Sequence, residues 1–341
     1  MRTGRSTGSR SVTIGDVAAK AGVSLSTVSR VMNGNGTVDT DLAERVLEAS
    51  KALNYSASPL ARSLVLGKTF TVAFVLPDLA NPTFQGALRG VSRAAAKDGY
   101  RVLIADTGEV VSEESILALE TRRRCDAVIL CAPRMSEERL RELLPQLEPA
   151  VLINRDVLGT SAPVAAADYR SGIVELLMHL VGLGHRRVTF LAGAHNSASN
   201  RHRQLGIEEV VRAHPDLVVT EVACGVTFAD GHGAAAAVAA SDATAVMAFN
   251  DLVAMGLLSG LGEAGVRVPE QLSVAGFDDI PFAQYTTPPL TTVSVPVTEL
   301  GEQAWLRLRA LLDGEAPDHN VYFRPRLEVR GSTAAPQAVD A

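Results

Sequence analysis

The sequence predicts an α-helical helix-turn-helix head joined to an α/β body of two lobes, each a parallel sheet flanked by helices. Three observations carry this. Residues 12–32, VTIGDVAAKAGVSLSTVSRVM, hold two short amphipathic patterns joined at a glycine. From Phe70 onward, apolar strand runs recur about every 25 to 30 residues, alternating with helix-length segments. Charge is also divided: residues 1–67 carry eight basic and five acidic side chains, while the remaining 274 carry 24 and 33. A basic head on an acidic body points to a polyanion partner at one end only.

In the head, Thr13 followed by Asp16 is a capping signature, so a helix starts at Ile14. Ile14, Val17, Ala18 and Ala21 form one apolar stripe. Gly22 supplies a left-handed residue and Ser24 caps a second helix. Val12 with Val17, and Val23 with Val28, fit hydrophobic staples. Turning Val28 and Val31 inward leaves Leu25, Ser26, Ser29 and Arg30 outward, with Thr27 near the first turn. That short polar face, ending in a cation, suits base edges and nearby phosphates. Two capped helices alone would equally fit any small helical hairpin.

Asn33–Gly36 forms a loop tolerant of positive φ, and Asp39 caps a third helix with Leu42, Val46, Ala49 and Leu53 along one side. Residues 58–67 then offer Ser58 as cap, Pro59 at the first helical position and Gly67 as terminator. So short a helix does not stand alone in water, yet Leu60, Ala61, Leu64 and Val65 give it an apolar face. It reads either as a linker or as a helix ordered against a partner copy and a DNA minor groove, with Leu64 as a wedge between base steps.

The body's strands are FTVAFVL, YRVLIAD, AVILCA, AVLIN, VAAAD, RVTFLAG, LVVTEVAC, AVMAFN and LSVAGFDD. They are too many for one compact sheet with one switch point, hence two lobes. The proline-rich run 286–296 reads as a crossover, followed by a helix at about 297–313 and a last strand around Tyr322–Val329. Gly331–Ala341 is small and polar, lacks a heptad, and is expected to be disordered. So is the Gly/Ser/Arg-rich stretch 1–11.

Three cysteines (Cys125, Cys131, Cys224), without a C-x-x-C, support neither a disulfide framework nor a zinc site. No apolar run spans a membrane, and residues 1–11 lack the apolar core of a signal peptide, so the expectation is a cytoplasmic protein with no membrane partner. No nucleophile elbow, H-E-x-x-H or phosphate loop occurs, and no G-x-G-x-x-G follows the first body strand. Neither enzyme activity, cofactor nor metal is expected.

In parallel sheets, ligands bind beyond the carboxyl ends of strands. The polar residues there are Asp78 and Asn81, Asn154 and Arg155, Asp168, Arg201 and Arg203, Asn250 and Asp251, and Asp278 and Asp279. Each of these also suits a helix cap. Together, amides, carboxylates and a forked donor suit a polyhydroxylated ligand. With few cations beyond Arg201 and Arg203, a neutral sugar is the favoured class.

Taken in order, VTIGDVAAKAGVSLSTVSRVMNG, LARSL, DLANPTF, GHRRVTFLAG, FNDLVAMG, VPEQLSVAGFDDIPFAQYTTPPLTTV and the closing GST resemble the lactose-repressor (LacI/GalR-type) transcriptional regulators over nearly all of residues 12–333. The resemblance implies a body like periplasmic sugar-binding proteins. Its lobes would be about 70–165 plus 295–324, and 166–294 plus 325–333, behind a head at 12–57 and a hinge helix at 58–67, with 334–341 as a tail. It implies a homodimer on a pseudo-palindromic double-stranded DNA operator. Leu25, Ser26 and Arg30 would read bases; Ser24, Thr27, Ser29 and Asn33 would meet phosphates or helix ends; Leu64, with Ala61 beside it, would enter the minor groove. The effector, a sugar or sugar derivative, would be clamped by Arg203, Asn250 and Asp278, stacked on Phe228, and faced by Asn81, Thr83 and Phe84, with Asn154 where the family often carries Asp. Tyr169 and Val295 also depart from the family pattern. The alternative left open is a sugar-binding receptor without a DNA-binding role.

Overall fold

The computed structural model describes residues 12–32, 38–55, 67–317 and 319–337. Asn33, Ala61 and Leu64 lie outside the described residues, as do the expected tail 1–11, most of the expected hinge and the last four residues. The chain divides into two units, Met1–Thr69 and Phe70–Ala341.

In the first unit, α1 (Ile14–Ala21) begins with the expected capping box: Thr13 and Asp16 each accept from the other's main-chain N–H, at 3.3 and 2.8 Å. It ends at Gly22, whose φ of +66° is left-handed. Ser24 Oγ then accepts from Thr27 N at the start of α2 (Leu25–Met32). Asp39 caps α3 (Thr40–Ala52) through Asp41 N and Leu42 N. The Arg45 guanidinium reaches back from α3 to the Ala21 carbonyl at 2.6 Å, satisfying an orphan acceptor at the end of α1. Val17, Ala18, Ala21, Val28, Val46 and Ala49 make the core of this unit, with Ile14 and Val31 packed on it.

The second unit holds two parallel sheets. The first contains β1 (Thr71–Leu76), β2 (Arg101–Asp106), β3 (Ala127–Cys131), β4 (Ala150–Ile153), β5 (Val164–Ala167) and β11 (Val321–Phe323), in the order β2-β1-β3-β4-β5-β11. The second contains β6 (Arg187–Ala192), β7 (Val218–Ala223), β8 (Ala245–Ala248) and β9 (Ser273–Ala275), in the order β7-β6-β8-β9. In both, strand order reverses beside the strand that opens the sheet: between β1 and β3, and between β6 and β8. Crossover helices flank each sheet: α4 (Pro82–Lys97), α5 (Val111–Arg122), α6 (Glu137–Leu147) and α7 (Tyr169–Gly182) come from the first half. α8 (Ala198–Ala213), α9 (Phe228–Ala239), α10 (Asp251–Glu263) and α11 (Val297–Leu312) come from the second. One apolar cluster, including Phe74, Ile129, Leu176, Phe190, Phe277 and Trp305, runs continuously through both lobes. Among the described residues no helix is long and apolar enough to cross a membrane.

Two expectations are corrected at the end of the chain. The single strand expected around Tyr322–Val329 is two: β11 closes the first sheet, while β12 (Arg326–Glu328) pairs antiparallel with β10 (Thr292–Ser294). Pro325, lacking an N–H, stands between them where the chain crosses lobes. Nor is the segment from Gly331 to residue 337 a free tail. Ser332 is fully buried, its carbonyl accepts from Val274 N at 2.8 Å, and its hydroxyl bonds Val274 O and Thr291 N. Ala334 exchanges bonds with the Ser273 hydroxyl and accepts at its carbonyl from His185 Nε2. Small hydroxyl-bearing residues read as disorder in composition, but here they complete the exposed edge beside β9.

The lobes share one packing device. Where α4 crosses α11, a Cβ on Gly90 would sit 2.0 Å from Thr298 O and one on Gly301 would sit 2.1 Å from Ala87 O. Where α9 crosses α10, a Cβ on Gly231 would sit 2.0 Å from Val253 O and one on Gly256 would sit 1.9 Å from Phe228 O. Main chain touches main chain at both crossings, so neither can yield to a side chain. Gly256→Ala is expected to destabilise the body by ~1–3 kcal/mol or more. Gly233→Ala, in the middle of α9 with nothing within 4 Å, should gain ~0.5–1 kcal/mol. Urea unfolding followed by circular dichroism separates the two, and equal effects would reject the close-crossing account.

Candidate functional site

Thirteen residues line a narrow cavity between the two sheets: Asn81, Thr83, Phe84, Ala132, Arg134, Asn154, Tyr169, Ser199, Arg203, Val226, Phe249, Asn250 and Asp278. Every one follows the carboxyl end of a strand, from β1, β3, β4 and β5 in one lobe and β6 to β9 in the other. Three of them, Ala132, Asn154 and Asp278, hold positive φ (46°, 54° and 105°) without being glycine. Such backbone is costly for an L-residue and clusters where the surrounding structure fixes a side chain for use.

Arg203, on the second turn of α8, is the centre of this cavity. It is 1 % exposed, with its guanidinium carbon 4.0, 4.5 and 4.6 Å from the ring centroids of Phe277, Phe249 and Tyr169. Gly193, just after β6, is what lets Phe249 close in, since a Cβ there would sit 2.5 Å from that ring. The nearest acid, Asp278 Oδ1, is 3.7 Å from Arg203 Nη2, close enough for charge attraction but beyond a hydrogen bond. Arg203 Nε and Nη1 are buried with no partner.

Side-chain hydrogen bonds tie the lobes across the cleft. Thr83 Oγ1 donates to Asp278 Oδ2 at 2.9 Å, and Arg134 Nη1 donates to Ser197 Oγ at 3.3 Å. Arg134 is itself held by a bidentate pair with Glu109 (2.8 Å for each bond). The enclosed volume is about 30 Å³, room for about two waters and for no sugar ring.

Other polar groups hold the walls. Asn81 Oδ1 caps α4 through Thr83 N, and Asn250 Oδ1 caps α10 through Val253 N while its amide donates to Val226 O. Asn154 donates to Tyr169 Oη at 2.9 Å and accepts from Ala167 N. Asp251, fully buried, accepts from the Thr292 hydroxyl and Ile280 N, pinning the loop that carries Asp278. Burial raises the Asp251 carboxyl well above its ordinary range, and the neighbouring Asp278 adds to this. Burial likewise pushes Asp278 up to about 6, against the pull of Arg203 and the Thr83 hydrogen bond.

Of the eight residues expected to face a ligand, seven line the cavity. Phe228 does not: it opens α9 and is 44 % exposed, while Phe84, Phe249 and Tyr169 supply the rings that line the cavity. Strand-end position was the signal that could have found Phe249, and Tyr169 directly follows the strand-end Asp168. Arg134, three residues past β3, was also missed. Asp168 serves as the cap of α7 through Ser171 N instead of lining the cavity. In the head, Ser24, Leu25, Ser26 and Arg30 are exposed on one face, while Thr27 and Ser29 are half-buried beside the fully buried Val28.

Known proteins can be set beside this geometry. Residues 13–58 match the model for bacterial regulatory proteins of the lacI family, and residues 177–333 match that for a periplasmic binding protein-like domain. The HTH-type transcriptional regulator GalS of Salmonella typhimurium is 32% identical over 299 residues, covering 86% of this chain and 88% of that one. The lac repressor dimer bound to operator and the anti-inducer ONPF is similar with a TM-score of 0.86 at 25% identity, over 96% of this chain and 100% of that one. A LacI family transcriptional regulator from Enterococcus faecium with bound ribose gives 0.70 at 28% identity, over 78% of this chain and 99% of that one.

Asp278 makes the stability of the body pH-dependent. Its folded pKa of about 6 lies above the ordinary 3.8, so the folded state holds this proton more tightly than the unfolded chain. The resulting stabilisation is complete below about pH 4 and lost as pH rises through about 6. Asp251 adds a slope of the same sign. Asp278→Asn is expected to flatten this part of the stability curve in urea titrations between about pH 4 and pH 7, and an unchanged slope would exclude Asp278 as the titrating group.

Proposed function

The chain belongs to the lacI family of bacterial DNA-binding transcriptional regulators, and from that membership we propose that it is a repressor whose operator affinity is set by a small polar ligand, a sugar or sugar derivative, bound between its lobes. The observation that carries this reading is the cavity itself. Thirteen residues from both sheets converge on it, yet it is closed by two interlobe bonds and holds too little space for a ligand. Binding must therefore change the angle between the lobes. The ribose complex of the Enterococcus faecium relative supports the ligand class.

The exposed face of α2 supports the other half. Leu25, Ser26 and Arg30 stand out from a helix whose Val28 is locked in the core, which suits entry into a major groove with the helix held rigidly. We place Ser24, Thr27, Ser29 and Asn33 at phosphates or helix ends, and Leu64 with Ala61 at the minor groove through the segment 58–67. The homodimer is supported by the similarity to the lac repressor dimer bound to operator. A two-fold molecule would read a pseudo-palindromic site. Coupling between cleft and head of the usual size, ~1–3 kcal/mol, would change operator affinity about 5- to 150-fold.

Fluorescence anisotropy with DNA from upstream of the protein's own gene tests this directly. The logarithm of affinity should fall linearly with log salt, with a slope of about −0.9 per neutralised phosphate. Arg30→Gln should cost ~1–3 kcal/mol on the operator and much less on random DNA; equal losses on both would move Arg30 from base reading to backbone contact. A thermal-shift screen of sugars and their derivatives, followed by operator binding with each hit, tests the effector. Hits that leave operator affinity unchanged would sink the allosteric half of the reading.

A further inference from the structure

The body begins at Phe70, and that first residue is held from three sides. Its φ of +52° is left-handed, a backbone that an aromatic L-residue keeps only where its surroundings fix it. Its N–H donates to Asp126 Oδ2 at 2.9 Å, and its carbonyl accepts from Arg101 N at 2.9 Å. Its ring tilts against Tyr100 with centroids 5.4 Å apart, and Tyr100 tilts against Trp305 at 5.2 Å. Tyr100 and Trp305 are both buried, and the Trp305 indole N–H donates to Asp98 Oδ2 at 2.7 Å.

Trp305 and Asp98 connect this stack to a helix pair. Trp305 lies on α11, and Asp98 closes α4 at its carboxyl end. The 16 residues of α4 span about 24 Å. At its other end Asn81 is the cap, Thr83 and Phe84 line the cavity, and Thr83 holds Asp278. The lead-in to α11 is joined to the same acid through main chain: Asp278 N donates to Val293 O at 2.8 Å, and Val295 N donates to Asp278 O at 3.4 Å. Between these ends the helices leave no room to slide. A Cβ on Gly86 would sit 2.4 Å from Val297 Cγ2, and Gly90 and Gly301 face main chain directly. Packing this close transmits a displacement instead of absorbing it.

Resting on the allosteric reading above, we propose that α4 and α11 act as one rod between the cleft and the start of the body, and that Phe70 is the positioning residue that passes its displacement into the chain leading to the head. Thr83 and Asp278 stand at one end of the rod, and the Trp305–Tyr100–Phe70 stack at the other. The left-handed backbone and the two main-chain bonds of Phe70 keep it from turning freely, so a shift of the stack becomes a shift of the chain before it.

Trp305 is the sole tryptophan of the chain and 1 % exposed, so DNA cannot touch it and its emission reports on the stack from within. Full-length protein is titrated with DNA from upstream of its own gene, with binding followed by anisotropy of labelled DNA and the stack by Trp305 emission. Binding should produce a saturable shift in emission. Phe70→Leu should still bind DNA but lose the shift, while Phe70→Tyr and Tyr100→Phe, which keep the rings, should retain it. Thr83→Val, at the cleft end, should move the emission of the DNA-free protein. Circular dichroism melts establish that each variant is folded. DNA binding with silent Trp305, a full shift in folded Phe70→Leu, or unmoved emission in Thr83→Val would overturn the inference. A sugar that alters operator affinity while Trp305 stays silent rejects the rod and keeps the allosteric reading. A DNA-linked shift that requires the Phe70 ring, with no sugar altering operator affinity, does the reverse.

Discussion

The buried charge of Arg203 organises the body. The Arg203 guanidinium lies among three aromatic faces, out of water and without a hydrogen-bonded anion. Removing such a charge from solvent costs several kcal/mol, and ring faces together with a carboxylate 3.7 Å away offset only part of it. The neighbours act to keep this arrangement in place. Gly193 admits Phe249, Asp251 pins the loop of Asp278, and Thr83 brings the opposite lobe onto the same carboxylate. The closed cleft is a state in which the molecule's own groups partly satisfy what a ligand would satisfy fully. For the effector proposed above, this would be the physical basis for shifting the lobes: a ligand gains most where the protein alone is least satisfied.

The two lobes solve one packing problem twice. Each has a reversal of strand order beside its opening strand, and each has a helix pair whose crossing depends on glycine in both partners. Direct main-chain contact at Gly90 with Gly301, and at Gly231 with Gly256, makes each pair a stiff unit. In the proposed allosteric reading, motion falls on the segments that run between lobes, and Thr83–Asp278 and Arg134–Ser197 are bonds that opening would break. The same stiffness explains how a few bonds in the cleft can bias a whole lobe.

Local signals carried the sequence reading a long way. Thr13, Asp16, Gly22, Ser24 and Asp39 each have one short-range job, and each does it in the structure. The strand runs from Phe70 to Asp279 likewise specify parallel sheets, because strands buried on both faces leave unbroken apolar segments. Seven cavity residues were also legible, because a parallel sheet presents ligands with whatever follows its strands. Phe228 lies outside the cavity lining, since one aromatic near a helix start looks like another until packing decides which ring faces the cleft. The residues from Gly331 to 337 were misread because hydroxyls that satisfy an edge strand are indistinguishable, in composition, from hydroxyls that satisfy water.

By itself, then, the sequence determined the capped head, the succession of strands and helices, and which strand ends are polar, since all of these depend on residues within a turn or two of one another. Only the tertiary structure decided which arginines share the cleft, which rings enclose Arg203, and where the last strands pair. Those outcomes depend on charge, volume and main-chain contact between segments 20 to 200 residues apart, as with Thr83 and Asp278, 195 positions from each other, and no local pattern encodes them.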